Sequence, residues 1–360
     1  MQKQKVELGF GAMRLPSDAA ECKKMFARFL ESGYDYFDTA YVYGGSEAMI
    51  KKGLTSVYPR SKYRLANKLP VWMLHEYSDC NKYFKESLSR CGVDYFDAYL
   101  MHSMNAGSEK KARLIGAYEW AAEAKRKGLC KQVGLSFHDS PAVLDDMLES
   151  HPEMDFVQLQ LNYMDVLRGQ GDELLRIANR HKVPIIVMEP LRGGSLAKLP
   201  QAAEDILRAA DPSSTPAVWG NRYAASLEGV YMVLSGLSTM AQTEENIRTF
   251  LNFMPMTEKE YDVLFAALIE MSKVSGIPCT ACKYCHAECP KNIDIAACFS
   301  LFNEGKRGHA TWHRNMMYEG IPEGCRAEDC DECGKCVQRC TQGINIPAEL
   351  KIVAAEMKNK

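Results

Sequence analysis

The sequence has no long hydrophobic run. No stretch of its 360 residues approaches the ~18–20 apolar residues needed to span a bilayer, so no transmembrane helix is expected. The apolar part of the N-terminal MQKQKVELGFGAMRLP is too short for a signal peptide, and a cytoplasmic location is the expectation. Charge of one sign is not in excess. The formal net charge of -2 and a pI of about 6.5 give the chain no general pull toward nucleic acid or an anionic membrane. Cysteine is scarce through the first 278 residues, with only Cys22, Cys80, Cys91 and Cys130. A dinucleotide fingerprint is also missing, because Gly9-Phe10-Gly11 after the first β-rich run does not supply the GxGxxG of a doubly wound sheet. No flavin fingerprint is evident.

What is present divides the chain in two. The composition, 46% hydrophobic and 25% charged, can bury a proper core, and the length suits one large domain followed by a small one. The other ten of the 14 cysteines crowd between Cys279 and Cys340. Reducing compartments keep thiols free, so gaps of two residues suggest metal rather than disulfides. One motif reads Cys279-x2-Cys282-x2-Cys285-x3-Cys289-Pro290, and the other reads Cys330-x2-Cys333-x2-Cys336-x3-Cys340. In this spacing three thiolates grip one cluster and the fourth reaches the other. Two [4Fe–4S] clusters are therefore predicted, one on Cys279, Cys282, Cys285 and Cys340, the other on Cys330, Cys333, Cys336 and Cys289. Paired structural zinc is the alternative. Cys298 and Cys325 fall outside both sets and read as buried thiols. Thr341 stands where a proline usually follows the second run, while Ile344-Asn345-Ile346 echoes Ile293-Asp294-Ile295 and suggests a duplicated half-motif. The 40 residues from Pro290 to Asp329 exceed the needs of a compact ferredoxin, and a helix is expected over 296–318. His309, Trp312, His313, Arg314, Met316, Met317 and Tyr318 there could line a substrate mouth or simply pack at a domain interface.

Ahead of the cysteines, short β-rich runs near 7–11, 35–39, 63–67, 96–101, 132–137, 155–160, 184–189 and 231–235 alternate with helical periodicity. Met25, Phe26, Phe29 and Leu30 share one helical face, and Ala117, Ala121 and Ala124 share another within a helix expected over about 109–127. Eight strands with crossover helices over about 250 residues predict a (β/α)8 TIM barrel, fold class α/β. Chemistry in such barrels sits at the C-terminal strand ends. Those ends offer Asp38, then Tyr43 just beyond, Lys68 and His102. A lysine ammonium beside a tyrosine favours the phenolate, a buried lysine wants a carboxylate, and a histidine can orient a carbonyl oxygen. The four form a plausible proton-transfer set.

These residues and their surroundings resemble the aldo-keto reductase family over about residues 4–255. The matching stretches include LGFGAMRLP, FDTAYVYGGSE, NKLP, DYFDAYLMHS, DFVQLQLNYMD, VMEPLRGGSLA and LSGLSTMAQTEEN. The resemblance implies carbonyl reduction, or the reverse, with NAD(P)(H), and a tetrad of Asp38, Tyr43, Lys68 and His102 with Tyr43 as general acid. It places nucleotide contacts at Gly11, Ala12, Met13 and Asp38, and the carboxamide near Ser136 and Gln158. It also implies Met188, Pro190, Leu191 and Gly193 beside the nicotinamide. Ser235, Gly236, Ser238, Thr239, Gln242, Glu245 and Asn246 would take the phosphates. Phe137 follows Ser136 where the family commonly has asparagine. Gln242 stands where many NADPH-specific members carry arginine, which leaves NADH open. With the cysteines, the whole resembles the bacterial and archaeal branch that carries a C-terminal ferredoxin-like extension. A barrel over 1–260 and a mainly helical cluster domain over 261–360 are expected, joined through a helix near 257–273.

Hydride is a two-electron carrier and a cubane exchanges one electron. Three readings follow: a nicotinamide-dependent carbonyl reductase whose clusters relay electrons or clamp structure; a ferredoxin-linked enzyme in which single electrons reach a flavin or substrate in the barrel; and a non-enzymatic electron-transfer module. The partners expected are a small carbonyl or alcohol and a redox protein such as ferredoxin or flavodoxin, with no nucleic acid and no membrane. Trp72, Tyr99 and the aromatics of 309–318 hint at a pocket for a small cyclic or aromatic compound.

Overall fold

A computed structural model describes residues 6–167, 170–274, 276–306 and 311–358, without the side chains of 167, 170, 311–313 and 358. Eight parallel strands close a barrel in sequence order: β1 (Glu7–Gly11), β2 (Tyr36–Asp38), β3 (Arg64–Leu69), β4 (Phe96–Met104), β5 (Cys130–Phe137), β6 (Phe156–Gln160), β7 (Ile185–Met188) and β8 (Val230–Gly236). Each lies on a β-rich run of the sequence. Helices follow the strands because their apolar stripes need the outer barrel wall. In Ala19–Glu31 the buried residues are Cys22, Met25, Phe26 and Phe29. Phe26 and Phe29 meet Phe10 of β1 edge-on at 5.1 and 5.3 Å.

Side-chain alternation along the strands explains where polar groups can sit. Tyr36, Ala66, Ala98, Leu100, Phe156, Ile186, Met232 and Leu234 form one packed cluster within the barrel. Two residues further along the same strands stand Asp38, Lys68, His102, Gln158, Met188 and Gly236. An apolar floor thus lies beneath a polar rim, and the strand period of two generates both. Odd-numbered neighbours go outward. Tyr99 packs among Phe84, Phe96 and Trp120 behind the barrel wall, so the expectation that it lines a pocket is corrected.

Two helical expectations also change. The helix foreseen over 109–127 is two helices, Ala106–Ile115 and Ala117–Arg126, because Gly116 turns left-handed at φ 80. The apolar register of Ala117, Ala121 and Ala124 survives, and all three are buried. The helix foreseen over 296–318 is Ile295–Lys306 and Thr311–Glu319, and His309 lies outside the described residues.

The chain divides into two compact units. One comprises Met1–Leu191 and Ala217–Thr257, the other Arg192–Pro216 and Glu258–Lys360. The division near residue 260 expected from sequence is thus accompanied by an excursion after β7. Within the second unit, helix Gln201–Ala210 packs on helix Glu258–Ser272. A Cβ at Gly193, whose φ is 65, would meet the Thr280 carbonyl oxygen at 2.3 Å, so only glycine fits there. No helix among the described residues is long and apolar enough to cross a membrane.

Two stretches of the second unit, beginning at Cys279 and Cys330, repeat one another. Ala281 and Lys283 have positive φ of 53 and 63, and 51 positions on, the offset from Cys279 to Cys330, Glu332 and Gly334 have 58 and 73. Asn292 and Gly343 repeat the pattern at 52 and 62. Short 3-10 turns, His286–Glu288 and Val337–Arg339, correspond, as do the starts of helices Ile295–Lys306 and Ile346–Lys358. The echo in sequence is therefore a backbone duplication.

Candidate functional site

The rim of the barrel carries the first group of chemistry-bearing residues. Lys68 is 1% exposed, and its ammonium donates to Asp38 Oδ1 at 2.5 Å and to the Thr39 carbonyl at 2.8 Å. Burial lowers the Lys68 pKa, and Asp38 opposes that shift. The other Asp38 oxygen accepts from Gln158 Nε2 at 3.3 Å. The Lys68 Nζ stands 4.9 Å from the centroid of the Tyr43 ring, and the Tyr43 ring meets His102 edge-on at 5.7 Å. Trp72 covers His102 from 5.2 Å. The four residues picked from strand ends are brought together around one point, with Trp72 beside them.

Tyr43 rides on a loop, and several buried contacts fix it. Thr39 Oγ1 and Ser46 Oγ lie 2.7 Å apart, and Ser46 Oγ donates to the Ala12 carbonyl at 2.7 Å. Asn67 Nδ2 donates to the buried Glu47 carboxylate at 2.8 Å, and Asn67 Oδ1 accepts from Lys68 N at 2.7 Å. Sequence reasoning missed Thr39, Ser46, Glu47 and Asn67 as supports. The available signal was an asparagine between Ala66 and Lys68 in a strand that is otherwise buried.

His138 follows β5 and its backbone N–H donates to the Met104 carbonyl at 2.8 Å. Burial, helped by the Lys68 charge, presses its pKa from 6.5 down to about 4. The imidazole is neutral across the physiological range, so it can accept or donate a hydrogen bond without adding a second cation beside Lys68. The unfolded chain binds this proton more readily than the folded one between pH 6.5 and about 4. Stability is therefore complete above pH 6.5 and falls as pH drops through that window. His138→Gln is expected to flatten this part of the profile, as read from urea midpoints at stepped pH; an unchanged slope would remove His138 as its source.

Several of the residues proposed for nucleotide contact lie at strand ends, whereas Gln242, Glu245 and Asn246 lie on the helix after β8 and Gly193 belongs to the second unit. Gly11 pairs in register with Asp38 and with Gly236, and Ala12 and Met13 follow in a 3-10 turn. Ser136 pairs with Gln158 across β5 and β6, and its hydroxyl accepts from Ser103 N at 3.0 Å. Met188 ends β7, with Pro190 and Leu191 beyond it. Ser103 and Glu189, at φ 55 and 53, are strained positions near the ends of β4 and β7, where functional sites store strain. After β8, Thr239 caps helix Met240–Leu251 by accepting from Gln242 N, and Gln242 Oε1 accepts from Ser238 N at 2.9 Å. Gln242 thus shapes the turn. Asn246 Nδ2 donates to Ser235 Oγ at 2.8 Å and its oxygen accepts from Asn221 at 2.9 Å, a buried support absent from the sequence reading. Glu245 lies on the same helix. A Cβ at Gly236 would meet nothing within 4 Å, so open space lies beside the end of β8.

The second group is the cysteine centre. Cys279, Cys282, Cys285 and Cys340 line one cavity together with Ile295, Phe299 and Arg339. Ala281 N donates to Cys279 Sγ and Ile344 N to Cys340 Sγ, each at 3.4 Å, and Thr341 Oγ1 lies 3.9 Å from Cys282 Sγ. Cys289, Cys330 and Cys333 are near enough to raise the Cys336 thiol pKa, after burial, to about 11. Glu332 N donates to Cys330 Sγ at 3.4 Å. The cysteines of each expected set thus lie near one another. Backbone N–H groups aimed at sulfur suit thiolates, and a four-sulfur cavity suits a cubane. Cys298 is a buried thiol pushed up to about 12 by burial, and Cys325 is half-buried. Tyr318 donates to Glu328 at 2.5 Å, and buried Arg314 pairs with Glu356 at 3.2 Å. Those two are spent in the second unit's own packing, Met316 and Met317 are exposed, and the side chains of Trp312 and His313 lie outside the described set.

Residues 7–268 match the Aldo/keto reductase family, and residues 278–344 match the 4Fe-4S dicluster domain. An aldo-keto reductase of Mycobacterium avium is 28% identical over 244 residues, covering 68% of this chain and 80% of that one. The NAD/NADP-dependent indole-3-acetaldehyde reductase of Schizosaccharomyces pombe is 31% identical over 121 residues, 34% of this chain and 41% of that one. Among solved structures, the holo form of an aldo-keto reductase from Bacillus halodurans has a TM-score of 0.60 at 23% identity, covering 72% of this chain and 91% of that one. An aldo/keto reductase from Klebsiella pneumoniae in complex with NADP and acetate has a TM-score of 0.61 at 19% identity, covering 73% and 94%. The structural likenesses show the fold.

Proposed function

This chain belongs to the aldo/keto reductase family and carries a C-terminal 4Fe-4S dicluster domain, and on that premise we propose that its barrel interconverts a carbonyl and an alcohol with NAD(P)(H). The observation that carries the reading is the convergence of Tyr43, Lys68, Asp38 and His102 on one rim. When bound, the reduced nicotinamide supplies a hydride. Tyr43 gives its hydroxyl proton to the carbonyl oxygen, and the Lys68 ammonium stabilises the phenolate left behind. Asp38 and the Thr39 carbonyl hold Lys68 in place. His102 directs the carbonyl oxygen toward Tyr43. Trp72 excludes water from one side. Ser136 and Gln158 are the residues to hold the carboxamide, and Gly236, Ser238 and Thr239 those to take the phosphates.

The eight cysteines hold two [4Fe–4S] clusters in the two sets given above. Neutral Gln242, engaged with Ser238, favours no 2′-phosphate, so NADH is a candidate alongside NADPH. The test is anaerobic purification followed by titration with NADH and NADPH, read by tryptophan fluorescence and by carbonyl reduction. Saturable binding with turnover is expected. A flavin spectrum, or turnover by dithionite-reduced protein without nicotinamide, would transfer the assignment to the ferredoxin-linked reading, which the dicluster domain favours.

A further inference from the structure

The duplication in the second unit allows the two cysteine sets to be compared position by position. Cys279, Cys282, Cys285 and Cys340 are half-buried, half-buried, buried and half-buried; Cys330, Cys333, Cys336 and Cys289 differ only in the exposure of Cys333. Charge differs more. Arg339 lines the first cavity, its side chain 15% exposed, and Glu288 lies 3.9 Å from it. The position that corresponds to Arg339 beside the second set is that same Glu288, 43% exposed. Lys283 lines the first cavity and its counterpart is Gly334, while Asp331 and Glu332 stand where the first loop has Thr280 and Ala281.

Some charges run the other way. Lys335 replaces Tyr284, Lys291 lies near Asp331, and Lys351 reaches Glu332 at 3.5 Å. These lysines are exposed, as are Asp331, Glu332 and Lys283, so water and salt screen them all. Arg339 is not screened in that way. A largely buried cation at the wall of the first cavity, against a half-exposed carboxylate at the equivalent position beside the second set, is the dominant asymmetry. The bond from Ala281 N to Cys279 Sγ is matched by that from Glu332 N to Cys330 Sγ and favours neither set, while Ile344 N donates to Cys340 Sγ at the first. Nearby positive charge and N–H···S bonds both stabilise the added electron of a reduced cluster. Water at Cys333 favours reduction at the second set, but it reaches one sulfur of four.

We propose that Arg339 makes the two sites inequivalent, so that the cluster held by Cys279, Cys282, Cys285 and Cys340 has the higher reduction potential and takes the first electron. An electron delivered to the second site by a one-electron donor moves to the first, which gains the one the second loses; no bond or proton changes hands. The inference rests on the reading of these cysteines as [4Fe–4S] ligands.

The experiment is a mediated dithionite titration of the full chain under anaerobic conditions, followed by paramagnetic resonance, with iron counted on the same samples. Two resolved one-electron steps are expected. Arg339→Gln lowers the upper step and leaves the lower one, and Arg339→Lys retains most of the separation. Asp331→Asn, at an exposed position of the second loop, raises the lower step alone. Equal movement of both steps in Arg339→Gln, or none, with eight irons retained overturns the inference. If Arg339→Gln loses iron, Asp331→Asn decides: movement of the upper step overturns the inference. Fewer than eight irons in the unaltered protein overturns the ligand reading instead.

Discussion

Replacing Tyr43 by Phe is expected to lower kcat for carbonyl reduction by ~10²–10⁴-fold, the usual worth of a positioned proton donor. The substitution removes one oxygen. The ring keeps its edge contact with His102 and its place near Lys68, so fold and nucleotide affinity should be preserved. Loss in kcat with little change in KM is the signature of an interaction made in the transition state. Steady-state kinetics over a panel of aldehydes and ketones, with nucleotide affinity measured in parallel, gives the answer. Undiminished turnover would remove Tyr43 from the proton path and leave the barrel's chemistry to another donor.

Lys68→Met should have an effect of comparable size on activity and a larger one on stability. The ammonium is buried, and its removal strands the Asp38 carboxylate beside the Gln158 amide, which donates to it at 3.3 Å. Breaking a buried ion pair by deleting one partner typically costs about 3–5 kcal/mol. Activity falls for a separate reason: without the cation, the Tyr43 phenolate loses its stabiliser, so the base limb for alcohol oxidation should move toward higher pH. The double variant Asp38→Asn with Lys68→Met separates the two effects. It should recover much of the stability and none of the activity, and the coupling energy from the four proteins measures the pair. If the double variant is as unstable as the single one, the stranded carboxylate is not the cause.

The barrel was legible in the sequence because each strand is a short β-rich run between helical periods, and the rim because strand ends follow from the period of two. Asp38, Lys68 and His102 are found by counting. Their supports are not. Asn67 and Glu47 lie 20 positions apart, and nothing local announces that a buried carboxylate will meet that amide. Gly116 escaped for the opposite reason: the apolar register of Ala117, Ala121 and Ala124 reads as one helix with or without a left-handed break ahead of it. The dicluster domain was legible from cysteine spacing alone. The left-handed positions that turn the loops fall on Ala281, Lys283 and Glu332, residue types that give no warning of a positive φ.

The excursion after β7 bears on how such a protein can be cut or grown. A stop codon after Thr257 would leave helix Gln201–Ala210 without helix Glu258–Ser272, and Gly193 without Thr280. The second unit thus cannot be removed by a cut at Thr257. Part of its foundation lies inside the reading frame of the barrel, between the seventh and eighth strands.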